Sequence, residues 1–504
     1  MVINAALAQG HVESARVLLP LAVTLIAPFV IIAARSEQNK REGVSFIAAA
    51  LAFLSVLSFV PAVLAGRVSE FTLFTILPGI TVRFAVDGLG IIFALIATFL
   101  WGLATSYNVG YMRSLREHAQ TRYYFCFAIA IFGALGVAFA ANVFTLYLFY
   151  EVITVFTYPL VAHHQDDEGF SGARKYLVYL MGTSKLFLLP AMVLTYVLCG
   201  SLDMNLSNIV DGMFPAEVVA NSPNLVRITY VLYICGLAKA ALAPFHNWLP
   251  SAMVAPTPVS ALLHAVAVVK AGVFSVSRII LSGFGIQAMD SLSLGLPTAY
   301  LAAFTILAAS LVALTKDDIK ARLAYSTVSQ LSYVIIGVAL LTPASLQGGL
   351  LHIPHHAFSK ITLFFGAGAI YVATHIKKIS EMNGLGRRMP WTFGAFALAS
   401  LSMIGMPPVC GFVSKWYLIN GTMQAGQTVL LVALLLSTLL NAGYFVPIFY
   451  RAFFMEPKPG ANIERYSEAP KVMVIPLCIT GGISLLLGLF PGIFQTFIKV
   501  FGHF

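Results

Sequence analysis

Long, uninterrupted apolar stretches recur along the 504-residue chain, for example at residues 125–141 and 428–440. A helix that crosses a bilayer needs about 20 mostly apolar residues, whereas a strand of a membrane β-barrel shows about ten residues of alternating character. Only 10% of the residues are charged, compared with about 25% in soluble domains. The sequence therefore predicts an all-α polytopic membrane protein whose immediate partner is the lipid bilayer.

The apolar stretches divide into about fourteen predicted helices. These lie roughly at 17–35, 44–65, 86–109, 123–141, 142–163, 174–200, 225–253, 256–282, 298–315, 319–342, 346–374, 390–424, 427–455 and 470–499. Residues 71–84 differ, because this segment is short, rich in threonine and contains Pro78 and Gly79. A small β-hairpin is predicted there.

Two of the predicted helices contain helix-breaking residues at membrane depth. Helix seven contains Pro244 and Pro250 around Asn247, and helix twelve contains Gly-Met-Pro-Pro at 405–408. Non-helical backbone persists in a membrane only where it lines a cavity or is buried in protein, because its polar groups need partners. Breaks five helices apart favour two inverted repeats around a transport site. The alternative is that the prolines only kink the helices for packing.

The basic residues indicate how the chain crosses the membrane. Of 30 lysines and arginines, nineteen lie in the loops after odd-numbered helices, and six lie at the termini or in the loops after even-numbered helices. The positive-inside rule then places the larger set in the cytoplasm and both termini on the outer side. Because the basic residues do not cluster in one domain or tail, no nucleic acid is expected as a partner.

The remaining five lysines and one glutamate lie inside apolar helices, where a charge costs at least about 2.5–3.5 kcal/mol. They are Lys185, Lys239, Lys270, Lys360, Lys415 and Glu151. Snorkelling to the interface is an alternative for Lys185 and Lys360. A binding site for a carboxylate substrate would favour arginine. We expect no arginine deep in a helix, so such a site is disfavoured. Because burial and a nearby carboxylate act in opposite directions on the proton affinity of a lysine, these groups favour a proton relay.

Histidines extend this set of buried groups. His352, His356 and Lys360 are spaced by four residues and therefore share one helical face. His264 precedes Lys270 on the same predicted helix. Because imidazole exchanges protons near pH 7, these histidines fit a proton path.

Neither a metal site nor a bound cofactor is predicted. The five cysteines lie in apolar stretches without the spacing of metal ligands. A metal site at the histidines of residues 352–356 is disfavoured, since no carboxylate or cysteine lies near them in the sequence. His163 and His164, beside an acidic stretch, are interpreted as interfacial residues.

Several stretches together resemble one protein family. They are residues 86–89 (VDGL), 238–250 (AKAALAPFHNWLP), 256–272 (PTPVSALLHAVAVVKAG), 318–330 (DIKARLAYSTVSQ) and 405–408 (GMPP). The chain resembles the antiporter-type subunits of respiratory complex I and of Mrp-type antiporters. The resemblance implies fourteen helices with two inverted five-helix repeats, helices four to eight and nine to thirteen. The implied domains are 1–122 for helices one to three, 123–282 and 298–455 for the two repeats, each a proton half-channel, and 456–504 for helix fourteen.

The resemblance also implies a proton path. Its residues are Glu151 on helix five, Lys239 on helix seven, His264 and Lys270 on helix eight, His352, His356 and Lys360 on helix eleven, and Lys415 on helix twelve. Glu151 is expected to pair with Lys239 and so to set its proton affinity. Lys185, Lys320 and Tyr325 are assigned accessory roles, the last two either in helix packing or at the cytoplasmic entrance.

The chain looks most similar to the D subunit of Mrp-type Na⁺/H⁺ antiporters, since it carries Lys415 where one type of complex I subunit carries glutamate. The alternative is a proton-pumping membrane subunit of a redox-driven complex such as NADH dehydrogenase, membrane-bound hydrogenase or formate hydrogenlyase. Either function implies other membrane subunits as partners and a bacterial or archaeal cell (inner) membrane. The transported ion is H⁺, and transport of Na⁺ stays open. No redox site is expected in the chain, although it can belong to a redox-driven enzyme.

Overall fold

The structure is a computed structural model that describes residues 10–459 and 463–502. The helices are numbered in chain order. They are α1 (Leu18–Ala33), α2 (Gln38–Leu57), α3 (Gly88–Ser114), α4 (Gln120–Ala138), α5 (Val143–Val161), α6 (Asp167–Cys199), α7 (Pro223–Gly236), α8 (Thr257–Ser291), α9 (Gly295–Thr315), α10 (Ile319–Ala339), α11 (Pro343–Thr374), α12 (Pro390–Ile404, then Cys410–Gln424), α13 (Thr428–Phe454), α14 (Lys471–Leu489) and α15 (Gly492–Gly502).

Eleven helices within the described residues are long and apolar enough to cross a membrane. α7 and α12 fall outside this group because each is interrupted, and α10 carries several serine, threonine and glutamine side chains. The all-α polytopic membrane class is therefore confirmed, whereas fourteen crossings and inverted repeats stay predictions. The predicted outer location of the termini concerns residues 1–9 and 503–504, which lie outside the described residues.

Both predicted helix breaks are present. After α7 the chain forms a 3-10 turn at Ala238–Ala240 and becomes helical again at Trp248–Ser251. α12 ends at Ile404 and resumes at Cys410, and Gly405 between them has φ of +93°. A side chain is strained at this φ, so glycine permits the sharp exit from the first half of α12.

α8 lies at the centre of the described structure. Every residue in its most apolar 18-residue stretch is buried. Two π-helical turns, Leu262–Val266 and Ile279–Phe284, interrupt its α-helical pattern, and a third, Ser184–Leu188, lies in α6. Such turns occur frequently at functional sites. The first contains His264 and the third contains Lys185, and both residues stand out in the sequence.

A three-stranded sheet lies beside the helices. β1 (Gly10–Glu13) runs parallel to β2 (Arg67–Leu77), which pairs antiparallel with β3 (Ile80–Val86). The hairpin predicted at 71–84 is confirmed and extends beyond both ends. The Glu70 carboxylate accepts hydrogen bonds from Arg83 (2.5 Å) and His11 (2.9 Å). Partial burial raises the pKa of Glu70, but these bonds and the adjacent charges outweigh it and lower the pKa below the ordinary 4.5.

Candidate functional site

Lys239 is fully buried within the interruption that follows α7. Its ammonium group donates hydrogen bonds to the Tyr150 carbonyl oxygen (2.9 Å) and to the Thr154 hydroxyl (2.6 Å), and lies 3.2 Å from the centroid of the Tyr150 ring. The backbone N–H of Lys239 donates to the Tyr150 hydroxyl at 3.0 Å. A buried ammonium group needs such oxygen and ring partners, because its desolvation is otherwise uncompensated. α5 thus provides the binding site for this ammonium group.

Gly272 lets α8 approach the same interruption closely. A Cβ atom added at Gly272 would lie 2.2 Å from the carbonyl carbon of Lys239, so any larger residue requires the backbone to move. Gly272 follows Lys270 on α8, with Ala271 between them. The close approach therefore brings the backbone of Lys239 next to the helix turn that carries Lys270.

Glu151 forms its ion pair with Lys185. Lys185 Nζ lies 3.2 Å from Glu151 Oε2 and donates to the Tyr147 hydroxyl at 2.6 Å. The predicted Glu151–Lys239 pair is therefore corrected. Neighbouring residues on a helix point in different directions, so Glu151 faces α6 while Tyr150 before it holds Lys239. The side chains of Lys185 and Glu151 are 46% and 13% exposed, which places this pair at the outer surface of the helices.

Lys270 and His356 connect α8 to α11. Lys270 Nζ lies 2.6 Å from His356 Nδ1, and both residues are buried. When Lys270 is protonated, its ammonium group donates to this imidazole nitrogen, because an ammonium group cannot accept. His356 Nε2 and both ring nitrogens of His264 have no hydrogen-bond partner within the described residues. An unpaired buried polar atom costs about 1–3 kcal/mol. These imidazole nitrogens therefore have unused hydrogen-bonding capacity at the centre of the protein.

His352 is held by side chains from α10 and α12. Its Nδ1 lies 2.9 Å from Ser414 Oγ, and its Nε2 lies 3.0 Å from Gln330 Oε1. Gln330 Nε2 donates to the Met403 carbonyl oxygen at 3.3 Å. Lys415 Nζ donates to the same oxygen at 2.8 Å and to the next carbonyl oxygen at 3.0 Å. His352 and Lys415 are therefore linked through the last turn of the first half of α12.

A second series of polar contacts leads from Lys360 to the same carbonyl oxygen. Lys360 Nζ donates to Ser326 Oγ at 2.8 Å. The Tyr444 hydroxyl contacts both Ser326 Oγ (3.2 Å) and Asn441 Oδ1. The Asn441 amide nitrogen donates to the Met403 carbonyl oxygen at 3.3 Å. Polar groups from α10, α11 and α13 thus converge on one turn of α12.

A cavity of about 800 Å³ opens at the start of α10. Lys320 lines it together with Glu117 and His164, and Lys320 Nζ donates to the Ala255 carbonyl oxygen at 2.5 Å, just before α8 begins. This position fits the entrance role that the sequence leaves open for Lys320. The Lys316 ammonium group lies over the ring of Tyr325, 5.6 Å from the ring centroid. This contact fits the packing role that the sequence leaves open for Tyr325.

Comparison with known proteins gives the family of the chain. Residues 140–441 match the family model described as NADH:quinone oxidoreductase/Mrp antiporter, TM. The chain belongs to this family. The matched region extends from just after α4 into α13 and contains every residue of the predicted proton path, from Glu151 to Lys415.

Relatives within the NADH:quinone oxidoreductase/Mrp antiporter family come from two kinds of complex. The chain is 33% identical to NADH-quinone oxidoreductase subunit N of Desulforudis audaxviator over 494 residues, which cover 94% of this chain and 96% of that protein. It is 29% identical to Na⁺/H⁺ antiporter subunit A1 of Staphylococcus aureus over 435 residues, which cover 81% of this chain but only 52% of that protein. The chain therefore spans about half the length of the A-type relative.

Two solved structures share the fold. A chain of the Mrp complex from Dietzia sp. superposes with a TM-score of 0.85 at 21% identity and covers 96% of both chains. A chain of the archaeal membrane-bound sulfane sulfur reductase superposes with a TM-score of 0.84 at 24% identity and covers 97% of both chains. This family member therefore shares its fold with a chain of an Mrp complex and with a chain of an archaeal respiratory membrane complex.

Arg278 corrects the expectation that this family member carries no arginine deep in a helix. Its guanidinium group donates to the Asp87 carboxylate at 2.5 and 2.8 Å, and both side chains are at most 1% exposed. Asp87 also accepts from the Gly90 N–H at 2.8 Å and so caps α3. Arg278 is one of the six basic residues that the sequence assigns to the termini or to loops after even-numbered helices. This assignment follows from a predicted helix eight that ends at residue 282, whereas α8 continues to Ser291.

Several polar residues of the site are not predicted from the sequence. They are Thr154, Ser326, Gln330, Ser414, Asn441 and Tyr444, and each contacts a predicted lysine or histidine or another member of this set. Uncharged side chains of this kind are common in membrane helices, so they do not stand out as the lysines do. Gln330 and Ser326 lie within a stretch that carries the family resemblance, which is the available signal for them.

Proposed function

We propose that this chain is the proton-translocating, antiporter-like membrane subunit of a multisubunit complex. Protons cross it through the buried groups of the interruption after α7 and of α8, α11 and α12. The observation that carries this proposal is the buried hydrogen bond between Lys270 and His356. It joins two titratable groups on neighbouring central helices, where the membrane environment penalises both. A direct bond of this kind allows a proton to pass between the helices without leaving the protein.

The proposed path has three stages. Protons enter through the cavity at Lys320 and reach Lys239, which Thr154 and Tyr150 hold in its buried position. They pass to Lys270 and cross to His356, with His264 nearby on α8. They continue through His352 and Lys360, whose polar contacts converge on the Met403 carbonyl oxygen that Lys415 also contacts. In this proposal residues 123–282 and 298–455 are the two half-channels, related as inverted repeats.

The Glu151–Lys185 pair supports a partner protein beside α5 and α6. Lys185 lies near the middle of α6, a helix of 33 residues, and its side chain is 46% exposed on the isolated chain. Charged groups at this depth are almost always covered by protein or pair inside a bundle. We therefore propose that a neighbouring membrane protein of the complex covers this surface, and that its conformational changes reach Lys239 through the adjacent residues of α5.

Two kinds of complex are candidates. The first is an Mrp-type Na⁺/H⁺ antiporter with this chain as its D-type component, in agreement with the lysine at position 415. The second is a redox-driven complex, which is favoured by the match to nearly the full length of an NADH-quinone oxidoreductase subunit N. The protein composition of the complex purified in mild detergent separates them, because iron–sulfur partners indicate the redox-driven complex.

The proposed location is the inner membrane of a bacterial or archaeal cell. The cavity at Lys320 opens on the side where the loops after α3 and α5 lie, and these loops belong to the set rich in basic residues. The positive-inside rule makes this side cytoplasmic. Both termini then lie on the outer side, and protons enter the path from the cytoplasm.

The test is proton flux in vesicles that contain the whole complex, followed with an internal pH-sensitive dye under an imposed membrane potential. We expect Lys239→Met to remove most of the flux, because the path loses its first buried amine. Lys499→Met, which removes an exposed lysine on α15, serves as the matched control and should retain wild-type flux. Full flux in a normally assembled Lys239→Met complex would contradict the proposal.

A further inference from the structure

Two loops on the same side of the protein bring three metal-binding side chains together. Glu117 and His118 lie between α3 and α4, and His163 lies just after α5. One ligand atom from each of the three residues lies within 4.8 Å of the other two. His163 Nε2 is 3.6 Å from Glu117 Oε2, and the His118 and His163 ring centroids are 4.8 Å apart. The sequence does not reveal this cluster, because its residues lie in two separate loops that meet only in the folded protein.

His163 is the feature that distinguishes this cluster from ordinary surface residues. It is fully buried, and neither of its ring nitrogens has a hydrogen-bond partner within the described residues. A buried imidazole normally has at least one such partner. The Arg122 guanidinium donates to the His163 carbonyl oxygen at 3.1 Å, so the backbone of His163 is held while its ring faces Glu117.

The donor set matches a borderline divalent metal ion. Zn²⁺ binds imidazole nitrogen and carboxylate oxygen at about 2.0–2.2 Å in tetrahedral geometry, which separates the ligand atoms by about 3.5 Å. The three side chains therefore need to close by about 1 Å around the ion. His118 is exposed and can rotate to do so. His164 Nδ1 lies 3.7 Å from the same Glu117 oxygen and offers a fourth ligand.

We propose that Glu117, His118 and His163 form a binding site for Zn²⁺ or a similar divalent transition-metal ion, with His164 as the fourth ligand. Glu117 and His164 also line the cavity that contains Lys320. A bound ion adds positive charge at the wall of this cavity and occupies two of the titratable groups that line it. The bound ion thereby slows the entry of protons through the cavity. This effect rests on the proposed function, whereas metal binding itself does not.

The binding test uses the intact, metal-depleted complex dialysed against Zn²⁺, with bound zinc counted by mass spectrometry. We expect the wild type to bind one more zinc ion per chain than His118→Ala or Glu117→Gln, or to bind it at least about tenfold more tightly. His375→Ala removes an exposed histidine near the same side of the protein and should bind zinc as the wild type does. Because His118 is exposed, its removal leaves the fold intact. Equal zinc binding by the wild type and both cluster variants overturns the site.

The second measurement adds Zn²⁺ to the cavity side of the vesicles and follows proton flux. We expect Zn²⁺ to slow flux in the wild type and in His375→Ala but not in His118→Ala, whose flux without zinc should be unchanged. Zinc binding without any slowing would retain the site and overturn its role at the cavity. If every variant lost proton flux in the absence of zinc, this result would contradict the proposed function. The zinc-binding measurement would still test the metal site by itself.

Discussion

The buried pair between Asp87 and Arg278 provides the sharpest test of the energetics, because each partner can be neutralised alone. Asp87→Asn keeps an oxygen that can accept from the Gly90 N–H, so the helix cap, which contributes about 1 kcal/mol, is preserved. The variant leaves the guanidinium without its counterion in a site at most 1% exposed. Removing one partner of a buried pair costs about 3–5 kcal/mol. We expect Asp87→Asn and Arg278→Met each to lower the free energy of unfolding by about 3–5 kcal/mol.

The double variant Asp87→Asn with Arg278→Met separates charge from packing. It removes both charges together, and exchanging a buried pair for uncharged groups is often nearly neutral. We expect its free energy of unfolding to lie within about 1 kcal/mol of the wild type. Unfolding is followed by helical circular dichroism as the SDS fraction in mild detergent micelles is raised. If the double variant is as unstable as the single variants, the reasoning is wrong and the loss comes from packing.

Three further predictions concern the path and the sheet. Thr154→Val removes the shortest hydrogen bond to Lys239 without changing side-chain shape, and should lower proton flux in vesicles about tenfold or more, since a bond to a charged group contributes about 1.5–3 kcal/mol. His356→Ala removes the acceptor of Lys270 and should abolish most flux while the complex still assembles, as judged by gel filtration. The hydrogen bonds and ion pair of Glu70 lower its pKa below 4.5 in the folded protein. The pair therefore stabilises the fold above pH 4.5, and this contribution is lost as the pH falls through the folded-state pKa. The temperature of thermal unfolding should depend less on pH over that range in Glu70→Gln than in the wild type.

The membrane class, the positions of the helices and both breaks are predictable from sequence, because each depends on residues close together in the chain. Apolar stretches of the right length predict α1 and α13, and Pro244 marks the interruption after α7. Lysine stands out in apolar surroundings, so the sequence also identifies the buried charged residues from which the proposed path is built.

Partner choice is the part that sequence does not determine. Glu151 pairs with Lys185 because of the direction in which α5 turns it, and a shift of one position along a helix changes that direction by about 100°. Arg278 is missed because the predicted helix eight ends at residue 282, nine residues before the observed end of α8, and its pairing with the distant Asp87 is not visible in the sequence. Such pairings depend on which helices become neighbours, and only the folded structure shows this.

The carbonyl oxygen of Met403 links the hydrogen bonds of several residues at the end of the proposed path. Three donors approach it, from Gln330, Asn441 and Lys415, whereas a carbonyl oxygen has two lone pairs. The donors therefore compete, and a stronger bond from one weakens the bonds from the others. When Lys415 does not donate to this oxygen, Gln330 and Asn441 can form stronger hydrogen bonds to it. The hydrogen bonds of Gln330 to His352 and of Asn441 to Tyr444 then change as well. This one shared acceptor in α12 thus couples the contacts of Lys415, the last residue of the proposed path, to side chains on α10, α11 and α13.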